Sequence, residues 1–93
     1  MNFAALVFVT LREVTRQPVA DFEAALAEIP QIVEAQRLFG DPDYLLHVVV
    51  QDLEHFSRFL LDNLLNASGV ADVNSSFVLR AVKTDGGLPL PGA

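Results

Sequence analysis

Ninety-three residues suffice for one domain and not for two, and six Lys and Arg against twelve Asp and Glu give a formal charge of −6, which disfavours a nucleic-acid partner. The absence of cysteine excludes disulfides and thiolate metal sites. Hydrophobic residues make up 52% of the chain and charged ones 19%, more apolar surface than a monomer of this size hides, so part of it should meet another subunit.

Residues 3–11, FAALVFVTL, are apolar on both alternating faces, with Phe3, Ala5, Val7 and Val9 on one side and Ala4, Leu6 and Phe8 on the other. Such a run predicts a strand covered on both faces. No basic segment precedes it and it falls far short of the ~20 residues of a transmembrane helix, so neither a signal peptide nor a membrane partner is expected, and a cytoplasmic protein is the default. Residues 18–29 change period: Val19, Phe22, Leu26 and Ile29 form one stripe of an amphipathic helix, started by Pro18 and stopped by Pro30. Residues 32–39, IVEAQRLF, mix polar and apolar positions and fit an outer strand. A polar elbow, Gly40 to Asp43, follows. DYLLHVVVQ is then again apolar on both faces and predicts the second central strand.

Asp52 is a natural N-cap for a helix whose inward stripe reads Leu53, Phe56, Phe59 or Leu60, and Leu64, with Gly69 after its end. Residues 70–83 complete the pattern as a strand with Asn74, Ser75 and Ser76 embedded in it, and the Gly- and Pro-rich residues 84–93 read as a flexible tail. The folded domain is thus expected over residues 1–83.

The order βαββαβ predicts an α+β, ferredoxin-like sandwich: a four-stranded antiparallel sheet with both helices on one face and the first and third strands in the middle. Those are the two strands that are apolar on both faces. The uncovered face then needs a second sheet, as in a dimeric α+β barrel. Burying ~500 Å² of it would contribute on the order of 12 kcal/mol before the costs of association. A homodimer through the sheet faces is expected.

Several motifs in sequence carry a resemblance: the elbow Gly40-Asp41-Pro42-Asp43-Tyr44, then LLHVVV, an Asp-started helix, GVADV, and a last strand ending in VLRAVK. In this order the chain, from about Phe3 to Lys83, resembles the C-terminal effector-binding domain of the Lrp/AsnC (leucine-responsive and asparagine regulator) transcription factors, known for regulation by amino-acid metabolism. The resemblance implies a non-catalytic sensing and oligomerisation domain, dimers that associate into rings of four, and a free amino acid or similar small effector bound between neighbouring dimers. It also implies pockets lined by the elbow and by polar residues of the last strand. Members of that family carry an N-terminal helix-turn-helix that contacts DNA, whereas Phe3 here already begins the first strand of the sensor. The chain itself is therefore expected not to touch DNA, as a stand-alone sensor or as part of a regulator.

The candidate effector-binding residues are Gly40, Asp41, Asp43, Tyr44, Val73 and Ser75. An amino acid needs acceptors beside donors; Asp41 and Asp43 can accept from its ammonium while backbone amides around Gly40 donate to its carboxylate. On the alternative reading, Gly40 supplies an unusual φ and the aspartates bond their own turn. Val73 and Ser75 match positions where the family often has Thr, so Val73 has lost a hydroxyl that Ser75 keeps; Ser75 also fits a polar edge residue facing water.

His47 and His55 lack a third partner at ligand spacing, and no metal or cofactor is expected. Asp52, Glu54, Asp62 and Glu23 read as caps and solvated helix faces. Dimeric barrels of this shape also include small cofactor-free enzymes that work between sheet and helices, and a deep pocket containing His47 or Tyr44 would favour that reading. A purely structural oligomerisation domain is the remaining alternative.

Overall fold

Strands that are apolar on both faces are satisfied only inside a sheet, and that is where both of them lie. The computed structural model describes residues 2–83; the tail expected over residues 84–93 lies outside the described residues. The elements are β1 (Phe3–Leu11), α1 (Arg16–Ala27), β2 (Ile32–Arg37), β3 (Tyr44–Val50), α2 (Leu53–Phe59), a π-helical segment (Leu60–Leu65) and β4 (Val70–Phe77). The sheet runs β2-β3-β1-β4, antiparallel throughout, which is the expected ferredoxin-like order with β1 and β3 in the centre.

One face of the central pair forms the core. Ala5, Val7, Val9 and Leu11 of β1 and Tyr44, Leu46, Val48 and Val50 of β3 are buried against Leu26 of α1 and Phe56, Phe59 and Leu64 of the second helical unit. Val19, Phe22 and Ile29 join them as half-buried neighbours. The opposite face, with Ala4, Leu6 and Phe8 on β1 and Leu45, His47 and Val49 on β3, is only half-buried, and among the described residues no helix covers it.

Several boundaries differ from the expected ones. α1 begins two residues earlier, after Thr15, whose carbonyl accepts from Val19. Pro18 thus sits inside the first turn, where it has no intrahelical bond to lose. Asp52 caps α2 as expected, accepting from the His55 amide at 2.8 Å and from its ring Nδ1 at 2.7 Å. The backbone bond first and the ring bond second hold its carboxyl below the ordinary carboxylate range. The cap therefore acts above that range and is lost as the pH falls through the depressed value.

The inward stripe of the second helical unit is Phe56, Phe59 and Leu64, not one that starts at Leu53, which is 57% exposed. The five-residue step from Phe59 to Leu64 spans the π turn, where wider winding replaces the 3.6-residue period. Asn63 donates its side chain to the Phe59 carbonyl and Asn66 to the Leu61 carbonyl, which adds two bonds along the widened turn.

β4 ends at Phe77 rather than continuing to residue 83. Val78 makes one more bond, to the Ala4 carbonyl, beyond the last paired residue of the strand. Leu79 and Val82 are left exposed.

Candidate functional site

The elbow is built by the end of the β2–β3 hairpin. Leu38 donates to the Asp43 carbonyl and Asp43 to the Val9 carbonyl, so the hairpin is pinned both to itself and to β1. Gly40 adopts φ 130°, a backbone geometry that a side chain would strain, and nothing lies within 4 Å of where a Cβ would stand. Glycine is needed there for conformation, and its backbone stays open to approach. The Asp41–Pro42 peptide is cis.

The two aspartates divide the roles considered for them. Asp43 Oδ2 accepts from the Leu11 amide at 2.8 Å, extending the β1–β3 ladder by one bond where the β1–β4 register shifts. Asp41 is exposed, and its carboxylate makes none of the side-chain hydrogen bonds found among the described residues. A groove of about 420 Å³ at this point is lined by Val14, Arg37, Leu38, Phe39, Gly40 and Asp43. Phe39 stands fully exposed at its rim.

Tyr44 turns away from the elbow into the layer beneath α1. It is buried, packs on Phe22 with ring centroids 4.9 Å apart, and donates its hydroxyl to Glu23 Oε2. Glu23 is therefore tied to the sheet and is more than the solvated helix residue that periodicity suggests. Burial first and the Glu23 bond second push the Tyr44 phenol from 10.0 up to about 12. Its neutral form thus favours the fold fully below pH about 10, and this contribution is lost as the pH rises through about 12. Tyr44 is the sole tyrosine and the chain has no tryptophan, so an ultraviolet titration of phenolate reads this one group. The expected midpoint is about 12, falling toward 10 in Glu23→Gln; a midpoint near 10 in the folded wild type refutes the assignment.

Val73 and Ser75 lie elsewhere. Val73 pairs with Val9, which pairs with Tyr44, so two strand spacings, roughly 10 Å, separate Val73 from the elbow strand. Its side chain packs half-buried against the core. Ser75 pairs with Val7, one pleat farther along, and is exposed. Neither residue lines the elbow groove.

Arg37, which the sequence reading did not single out, lines that groove. The signal in the sequence is a cation three residues before Gly40 in an acidic chain. His47 faces the uncovered side of the sheet opposite Leu6 and Glu34, and His55 stays in the first turn of α2. Among the described residues no three His, Asp or Glu side chains gather as a metal-ligand set, and no helix is long and apolar enough to cross a membrane.

Residues 4–88 match the family model described as the Lrp/AsnC ligand binding domain. The chain is 36% identical over 87 residues to the Bkd operon transcriptional regulator of Pseudomonas aeruginosa, covering 94% of this chain and 57% of that protein. It is 28% identical over 90 residues to the transcriptional regulator AzlB of Bacillus subtilis, again over 57% of that protein. The chain thus spans a little over half the length of these relatives. Among solved structures, the transcriptional regulator NMB0573 of Neisseria meningitidis, in complex with L-methionine, superposes with a TM-score of 0.84 at 38% identity, covering 95% of this chain and 56% of that one. TTHA0845 from Thermus thermophilus superposes at 0.76 with 25% identity, covering 87% of this chain and 98% of that one.

Proposed function

Because the chain belongs to the Lrp/AsnC ligand-binding domain family, we propose that it is a non-catalytic domain of a transcriptional regulator, or a stand-alone version of one, that binds a free amino acid at its elbow. The observation that carries this reading is a groove lined by Arg37, the open backbone of Gly40 and Asp43, with the exposed Asp41 carboxylate next to Gly40 in the same loop. An amino acid presents one cation and one anion, and these groups offer the matching pair. A relative solved with L-methionine supports the ligand class.

Assembly belongs to the same reading. Val73 and Ser75 lie away from the elbow within one chain, and on this reading they meet the elbow of a neighbouring copy. The uncovered sheet face supplies the first contact, in a homodimer, and the elbow remains free for contacts between dimers in a ring of four. Binding that favours one assembly state would alter the state of the whole regulator by mass action. The chain itself, acidic overall, has no part in contacting DNA on this reading, and it works in the cytoplasm.

Catalysis is poorly supported. Tyr44 does line a groove under α1, but that groove is open to solvent and the phenol, raised to about 12, is no base near neutral pH. A thermal-shift screen of the twenty amino acids, read together with light-scattering mass, tests the proposal. At least one amino acid should raise the melting temperature and change the mass, and Asp41→Asn should remove the response while leaving the fold intact. A panel without any response defeats the reading.

A further inference from the structure

A second groove, of about 470 Å³, runs between α1 and β2 on the helix side of the sheet. Its floor and walls are Leu26, Ala27, Ile32, Val33 and Ala35, and its polar residues are Glu23, Glu34, Arg37 and Tyr44. Three independent observations fix Glu23, Arg37 and Tyr44. The sheet register places Arg37 directly across from Tyr44, with Cβ atoms ~5 Å apart on the helix-side face. Tyr44 donates to Glu23 Oε2, which holds the carboxylate at the sheet and leaves its second oxygen available. Neither Glu23 nor Arg37 forms an ion pair with any described residue. A carboxylate bonded to the buried phenol and an arginine at the strand position facing that tyrosine thus border one groove without forming an ion pair.

Glu34 pairs with His47 and so belongs to the other face of β2, which leaves Glu23 and Arg37 as the charged pair at the Tyr44 end. An apolar trough ending in such a pair suits a small zwitterion with an apolar side chain, in the volume range of ordinary ligand pockets. We propose that this α1–β2 groove is a zwitterion site separate from the elbow, in which Glu23 accepts from the ammonium, Arg37 pairs with the carboxylate, and Leu26 and Ile32 receive the apolar side chain. Arg37 borders both grooves, so it is shared; Glu23 belongs to this one alone. The Tyr44 hydroxyl acts as a positioning group, since its bond fixes the Glu23 carboxylate against the sheet.

The test uses L-methionine as probe, with methionine amide, which lacks the carboxylate, and N-acetylmethionine, which lacks the ammonium. Binding to the full chain is followed by calorimetry and by the fluorescence of the single tyrosine. Glu23→Gln keeps an acceptor for Tyr44 and so preserves the fold, which circular dichroism checks. The expected result is methionine binding that quenches or enhances the tyrosine signal, a loss of roughly tenfold or more in affinity in both Glu23→Gln and Arg37→Gln, and no binding of either blocked analogue. Methionine affinity in Glu23→Gln equal to wild type overturns the site, as does the absence of any tyrosine response. Asp41→Asn separates the two grooves: a loss confined to Asp41→Asn places the ligand at the elbow and refutes this site, whereas a loss confined to Glu23→Gln supports it and counts against the elbow. Losses in both variants, with two ligands per chain, support both sites.

Discussion

Leu6→Lys is expected to turn a dimer into a folded monomer. Leu6 lies at the centre of the uncovered sheet face, paired with His47 on one side and Ser76 on the other. Around it, Ala4, Phe8, Leu45 and Val49 form an apolar middle, while Glu34 and Gln36 on β2 and Asp72, Asn74 and Ser76 on β4 form polar margins. An apolar centre with a polar rim is how protein interfaces are built. In a two-fold dimer each substitution occurs twice, and a buried, unpaired ammonium costs several kcal/mol per copy. The dissociation constant should therefore rise by at least about 10⁴-fold. In the monomer the same lysine lies on a half-exposed position from which its charge reaches water, so circular dichroism should be unchanged. Sedimentation at micromolar concentration checks this. A monomeric wild type, or a variant that stays dimeric, would remove the basis for assembly through this face.

The parts of this structure that sequence predicts well are those where one physical requirement dictates composition. β1 and β3 are apolar on both faces, the composition of central strands, and both lie in the middle of the sheet. Gly40 is legible for a similar reason, since φ 130° is open to glycine and strained for other residues. What sequence reading misses depends on distant partners. β4 stops at Phe77 and keeps one further bond, from Val78 to the Ala4 carbonyl, so Leu79 and Val82 look like strand but stay exposed. Asp43 is committed to an amide 32 residues away, a bond that no local spacing announces. Glu23 and Arg37 carry signals typical of solvated surface residues, and only the packing of α1 over β2 and β3 brings them to the same phenol.

Phe56→Ala should destabilise the fold by about 3–5 kcal/mol, a large part of the ~5–15 kcal/mol that holds a domain of this kind together. The Phe56 ring is 2% exposed and joins three others: centroids stand 6.3 Å from Phe3, 6.2 Å from Phe59 and 5.3 Å, edge-on, from Phe77. Those rings tie α2 to the start of β1 and the end of β4, so truncation opens a cavity at the junction of three elements. Leu53→Ala is the informative control. Helical periodicity puts Leu53 in the same inward stripe as Phe56, but in the structure it is more than half exposed, and its loss should change stability by no more than about 0.5 kcal/mol. Urea denaturation at one fixed protein concentration, which holds any dimer linkage constant, measures both. Equal losses would mean that the second helical unit packs with an unbroken 3.6-residue stripe, and that the π turn between Phe59 and Leu64 does not set which side chains reach the core.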